Sequence, residues 1–368
     1  MNQKIKESIT FFLKSLENSD QNFQFYPVID GLTEWGKRVE LGFSCYALKI
    51  YYILGEWDKL DSKNQLNWIK YINSFQVKNH EIENAYIDTV FKEYFYTFNL
   101  KKDLKNITKT TLTKLNLKKF ETRKQILFKN YIAETKQAIA TLAQVGHDSK
   151  YLFNNFPKDE FSINDYLNKF DWNKPWNAGA QFASLCVFSA SRFKSDNNKE
   201  IKNILESFIT KKVNLENGFY CEKSTTSSVE LINGAMKVIS GLEWLETPIH
   251  YPDKIIEFCL NNKPNQEGCD LVDIVYVLSK CSQQSLYKKN EIKLYFEEIK
   301  KIIFKNYKEK HGGFSYFQNK SQTHYYGIPI SHGLDTADIH GTLLLLWALS
   351  LIDNFETENN SDLKDLRV

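Results

Sequence analysis

Residues 337–352 read Ala-Asp-Ile-His-Gly-Thr-Leu-Leu-Leu-Leu-Trp-Ala-Leu-Ser-Leu-Ile, and after His340 no ionisable side chain follows as far as Ile352. A helix at a protein surface keeps a polar face, so one that is apolar nearly all round has to be enclosed by protein. Five further stretches share this character and a small or polar start: VELGFSCYALKIYYIL, AETKQAIATLAQV, WNAGAQFASLCVF, INGAMKVISGLEWL and CDLVDIVYVLSKC. The six predict buried helices over 40–54, 134–145, 177–189, 233–245, 270–279 and 338–352. Between them, 62–75, 200–209, 252–259 and 291–307 carry an apolar stripe and a charged face, the pattern of outer helices. Alternating enclosed and half-exposed helices predict an all-α chain arranged as a closed double ring.

Composition agrees with a folded helical protein. The 368 residues are 42% hydrophobic and 25% charged, with 15 Gly and 7 Pro, too few for a turn-rich all-β fold. A net charge of +3 gives no global attraction to nucleic acid, and no apolar run reaches the length of a membrane span. Residues 1–10 lack the pattern of a secretory signal, and six cysteines without CxxC spacing fit reduced thiols, so the expected location is cytoplasmic. No Pro/Gly/Ser-rich linker interrupts the chain, which predicts one domain over 1–353 and a frayed polar tail over 354–368. Similar short motifs, Asn217-Gly218-Phe219-Tyr220 and His311-Gly312-Gly313-Phe314-Ser315-Tyr316, precede two of the buried helices and suggest a repeated unit.

The Gly-Gly-Phe turn followed by the buried helix at 338–352 resembles the α/α-toroid superfamily of protein prenyltransferase β subunits and squalene and terpene cyclases. That resemblance implies an (α/α)6-type toroid and chemistry on an isoprenoid in its central cavity. In the prenyltransferase subunits zinc is held by an Asp, a Cys and a His. Asp273 and His340 stand at the matching positions, Val275 stands where the Cys would be, and Cys269, one turn before Asp273, is the candidate substitute. The run Leu334-Asp335-Thr336-Ala337-Asp338 resembles the aspartate-rich motif of class II cyclases, in which a protonated Asp delivers a proton to an alkene or epoxide. It makes Asp335 and Asp338 candidate acids and His340 or His332 their partner.

Convergent helix starts would line the cavity mouth with Glu40, Glu134 and Gln137, Asn177 and Gln181, Asn233 and Lys237, Asp270 and Asp273, Asp338 and His340, each of which is equally well read as a helix cap. The candidate catalytic residues are therefore Asp335, Asp338, His340, Asp273 and Glu134. Aromatic and polar walls for a substrate come from Trp172, Trp176, Gln181, Tyr220, Asn233, Lys237, Tyr276, Phe314, Tyr316, Tyr325 and Tyr326, since π faces stabilise carbocations. The same side chains suit a sugar, so a carbohydrate-active toroid using Glu134 and Asp273 as acid and base is the alternative reading. A non-catalytic helical scaffold is the third. Residues 101–124 hold nine Lys/Arg against Asp103 and Glu121, which fits a solvated face better than a membrane-docking stripe.

Overall fold

The computed structural model describes residues 2–78, 81–98, 121–191, 198–223 and 226–368. Its α-helices are α1 Gln3–Leu16, α2 Leu41–Ile53, α3 Ser62–Ser74, α4 Val90–Tyr96, α5 Arg123–Gln144, α6 Glu160–Asn168, α7 Pro175–Ala190, α8 Asn198–Thr210, α9 Ser228–Leu245, α10 Pro252–Leu260, α11 Gly268–Ser282, α12 Lys289–Lys305 and α13 Ile339–Glu356. Strand among the described residues is limited to three hairpins of two-residue strands: β1 Gln76–Val77 with β2 Ala85–Tyr86, β3 Tyr307–Lys308 with β4 Gly313–Phe314, and β5 His324–Tyr325 with β6 Ile328–Pro329. The chain is thus mostly helical. No helix among the described residues is long and apolar enough to cross a membrane.

The six predicted buried helices are α2, α5, α7, α9, α11 and α13. Every residue of α2 except Tyr52 is buried, and α13 is buried over 339–352 apart from His340 and Leu344. These helices pack in chain order, α2 on α5, α5 on α7, α7 on α9, α9 on α11 and α11 on α13, and α13 packs back on α2. The expected outer helices appear as α3, α8, α10 and α12, the last three burying one face: Leu205 and Ile209 on α8, Ile255, Ile256 and Cys259 on α10, and Ile292, Phe296, Ile299 and Ile303 on α12. Three partly buried helices were not expected, among them the short α4, which buries Val90, Phe91 and Tyr94. In α1, Ile9, Phe12, Leu13 and Leu16 bury the stripe that a 3.6-residue period demands. In α6 only Ile163 and Leu167 are buried, too few to stand out in the sequence.

The expectation of a frayed tail is corrected. Beyond α13 the chain turns back, buries Leu363 and Leu366, and is tied by side-chain and backbone hydrogen bonds to the ends of the inner helices. Two apolar side chains in a polar stretch are enough when they meet a surface already apolar. The basic segment lies outside the described residues over 101–120; Arg123 and Lys124 begin α5, where Lys124 pairs with Glu81.

Candidate functional site

A cavity of about 460 Å³ lies among the six inner helices, and all six contribute to its wall. Its rim carries Trp176 and Tyr326, both still exposed. Midway stand Tyr46, Lys49, Lys136, Lys237, Asp273 and His340, and the floor is closed by Trp347, Leu366 and Val368. A surface groove of about 520 Å³ outside the ring is roomier. Its acids are already satisfied, however: Tyr71 donates to Glu40, and the backbone N–H groups of Glu40 and Leu41 donate to Asp88. The central cavity is different, because it leaves reactive groups without partners.

Glu134 is fully buried on α5. Its Oε1 accepts the Tyr325 hydroxyl, and its Oε2 has no hydrogen-bond partner. Burial pushes its carboxyl up to about 8, against the pull of the Tyr325 bond, so it is largely protonated at neutral pH. Gly42 of α2 makes this contact possible, since a Cβ there would lie 2.2 Å from the Tyr325 hydroxyl oxygen. Tyr325 and Tyr326 enter from the β5–β6 hairpin, whose turn holds Tyr326 at φ 44° and Gly327 at φ 86°. A tyrosine in the left-handed region is a strained choice, and here it sets a ring at the cavity rim.

Asp273 sits one turn inside α11, with Oδ2 unpartnered. Burial raises its carboxyl to about 7, Asp270 adds to the rise and the Lys237 ammonium opposes it. Such a group is divided between acid and base near pH 7, which is the condition for moving a proton. His340 lies between two tyrosines, its ring 4.8 Å from that of Tyr46 and 5.3 Å from that of Tyr316, both stacked. Burial first, then Lys237 and Lys49, lower it to about 3, so the imidazole is neutral, and its Nδ1 has no partner.

The cationic side of the site is lysine. Lys49 and Lys136 line the cavity with no ion pair or hydrogen bond among the described residues, and burial lowers them to about 8 and about 7. Lys237 acts on both, and Lys49 also acts on Lys136. Three amines facing one space without a paired carboxylate leave it electropositive and ready for an anionic group.

Several expected roles are corrected. Asp338 is the N-cap of α13: Oδ1 accepts Gly341 N–H at 2.7 Å, and Oδ2 accepts Tyr316 N–H at 2.7 Å and Gln322 N–H at 3.1 Å. With both oxygens so engaged it braces the loop over the helix start and does not line the cavity. Asp335 is exposed and pairs with Lys308, away from the cavity. The two do not form a cyclase-type acid pair. Cys269, Asp273 and His340 all border the cavity, yet no three His, Cys, Asp or Glu among the described residues are grouped to hold a metal ion. The residues do not fit the zinc set.

Of the wall candidates, Trp176, Gln181, Lys237, Tyr316, Tyr325 and Tyr326 line the cavity. Five do not. Trp172 is buried beneath Lys212 with Nε1 donating to Leu167 O, and Tyr220 is buried against His250. Asn233 donates to Asp270 and braces the starts of α9 and α11. Tyr276 donates to Glu243, and Phe314 packs on Phe304 and Tyr307. Lys49, Lys136 and Tyr46 were missed. A lone lysine within an otherwise apolar helix, as in Ala47-Leu48-Lys49-Ile50, was the available signal, because such an ammonium must meet either a partner or a cavity. Comparison with family profiles, curated proteins and solved structures finds no match to this chain.

Proposed function

We propose that the ring is an (α/α)6 toroid and that its cavity is the active site of an isoprenoid-acting enzyme of the cyclase or prenyl-transfer type. The substrate would carry an anionic head and an apolar, unsaturated body. The observation that carries this reading is the unpartnered Asp273 carboxyl in one cavity with unpaired lysines and a wall of aromatic rings. In this reading Lys49 and Lys237 hold the anion. Asp273, poised near neutrality, gives up the proton that starts the reaction or assists a leaving group. The faces of Tyr46, Tyr316 and Tyr325 support positive charge that develops on the body. A cation at the level of the lysines would be repelled, so the head sits deep and the reacting carbons sit nearer the tyrosines.

Calorimetric titration and product analysis with prenyl diphosphates, farnesyl diphosphate among them, and with uncharged polyprenes test the proposal. Asp273→Asn is expected to bind like wild type and to lose about 100-fold or more in turnover. Absence of both binding and turnover across the panel would remove the isoprenoid reading. The half-exposed Trp176 at the rim favours one second reading, a carbohydrate ligand stacked on the indole. Glycan-array binding that disappears in Trp176→Ala would put that reading first.

A further inference from the structure

The cavity contains a reactive group that the acid chemistry above does not use. Lys136 projects into it from α5, on the helix face that also carries Ile132, Ala133 and Ala140. Its amine makes no ion pair and no hydrogen bond among the described residues, and Lys237 and Lys49 act on it electrostatically. The acid on its own helix, Glu134, is occupied by Tyr325. Asp273 is coupled to Lys237, and among the described residues Cys186 alone favours the charge of Lys136. We propose that Lys136 is a nucleophile that forms an imine with a carbonyl compound, so that the cavity accepts an aldehyde or a ketone.

The chemistry needs an unprotonated amine held away from bulk water. Ammonium groups beside a lysine in a low-dielectric site disfavour its protonated form and make it nucleophilic at neutral pH. Burial first, then Lys237 and Lys49, lower the half-buried Lys136 to about 7, so far more of it is free amine at neutral pH than of an ordinary lysine. The Nζ lone pair forms a bond to the carbonyl carbon as the C=O π pair moves to oxygen, and one amine proton passes to that oxygen to give a carbinolamine. The C–O bond then breaks as the nitrogen lone pair forms C=N, and the oxygen leaves as water with the second amine proton. No oxidant or reductant takes part, and the by-product is one water. A carboxylate or phosphate elsewhere on the carbonyl compound would be held by Lys49 and Lys237. This inference goes beyond the isoprenoid reading and does not rest on it, because its readout is a covalent adduct on the protein, not turnover of a prenyl compound.

The test uses hexanal as probe, in limiting amount at pH 7 with cyanoborohydride to fix the imine, followed by peptide mapping by mass spectrometry. Lys136 is expected to be modified at least about tenfold faster than the exposed Lys63 and Lys70 of α3. The fast adduct should vanish in Lys136→Arg, which keeps a cation but lacks the nucleophile. It should slow in Lys49→Met, because removing a neighbouring charge returns Lys136 toward the ammonium form. Circular dichroism establishes that each variant is folded, and the wild-type rates carry the test if Lys136→Arg is not. Labelling of Lys136 at or below the rate of Lys63 in native protein would overturn the proposal, as would an unchanged rate in folded Lys49→Met.

Discussion

Lys49 and Lys280 each interrupt an apolar inner helix, and their surroundings give them opposite energetic signs. Lys280 on α11 meets Glu243 and Asp365, both at 2.8 Å, and is held above its ordinary value by them against burial. Lys49 on α2 feels Lys237 and Lys136 across the cavity and, one turn back on its own helix, the Cys45 thiol. Lys280→Met strands two carboxylates and should cost roughly 2–3 kcal/mol. Lys49→Met should stabilise. With a folded value of about 8 against an ordinary 10.4, the unfolded chain binds more protons between those pH values. Stability therefore rises with pH across that window, and below it the whole penalty is present. Urea unfolding should show Lys49→Met gaining up to about 3 kcal/mol at pH 7 and nothing by pH 11. Equal stability of mutant and wild type at pH 7 would mean that the amine is solvated after all. An expendable charge that destabilises the fold is the mark of a group kept for its chemistry.

Among the elements, the inner helices divide labour between two successive turns. The first polar residue of a start braces the scaffold: Glu40 accepts from Tyr71, Asn233 donates to Asp270, and Asp338 caps α13. The next polar residue inward faces the cavity, namely Gln137, Gln181, Lys237, Asp273 and His340. That division explains how much of the site was legible. The apolar runs located the helices and most of their starts, although α5 begins at Arg123, eleven residues before the expected start, which leaves Glu134 and Gln137 in mid-helix; a sequence pattern does not separate a capping Asp from one a turn deeper that is orphaned, since both are acids near a helix start. Asp338 was misread for this reason, Asp335 because its run gives no sign that it lies exposed against Lys308, and Lys49 was overlooked because it lies beyond the start altogether. The cross-element contact of Gly42 with Tyr325 yields a local prediction. In Gly42→Ala the new methyl would overlap the Tyr325 hydroxyl and ring, at 2.2 and 2.5 Å, in a packed aromatic cluster. The substitution should cost about 1–3 kcal/mol in denaturant unfolding and release Glu134 from its partner. A variant as stable as wild type would show that Tyr325 can swing aside.

At the scale of the whole molecule, the question is what keeps six helices around an open space instead of collapsing into it. The β5–β6 hairpin brings Tyr325 and Tyr326 to the rim, and the returning chain supplies Leu366 and Val368 at the floor. Lys364 N–H donates to Ile53 O at the end of α2, and Arg367 N–H donates to Gln144 at the end of α5. The Arg367 guanidinium donates to Glu243 O on α9, where Trp244 donates to Val368 O and lies under the same guanidinium. Asp365 joins Lys280 of α11 to Trp347 of α13. Five of the six inner helices are thus tied by a few residues whose own polar composition gave no hint of burial. The sequence could reveal what each helix buries, but not which distant segment completes the floor. Deleting 363–368 removes the burial of Leu363 and Leu366 and frees Lys280 of one partner. It should lower stability by roughly 3–6 kcal/mol in urea unfolding. Because Leu366 and Val368 themselves form cavity wall, the same deletion should speed amide exchange in Ala140, Ser240 and Trp347 at the floor more than in α8 or α12 outside. Exchange raised evenly through the ring would instead mean that the tail stabilises the molecule as a whole and is not a local floor.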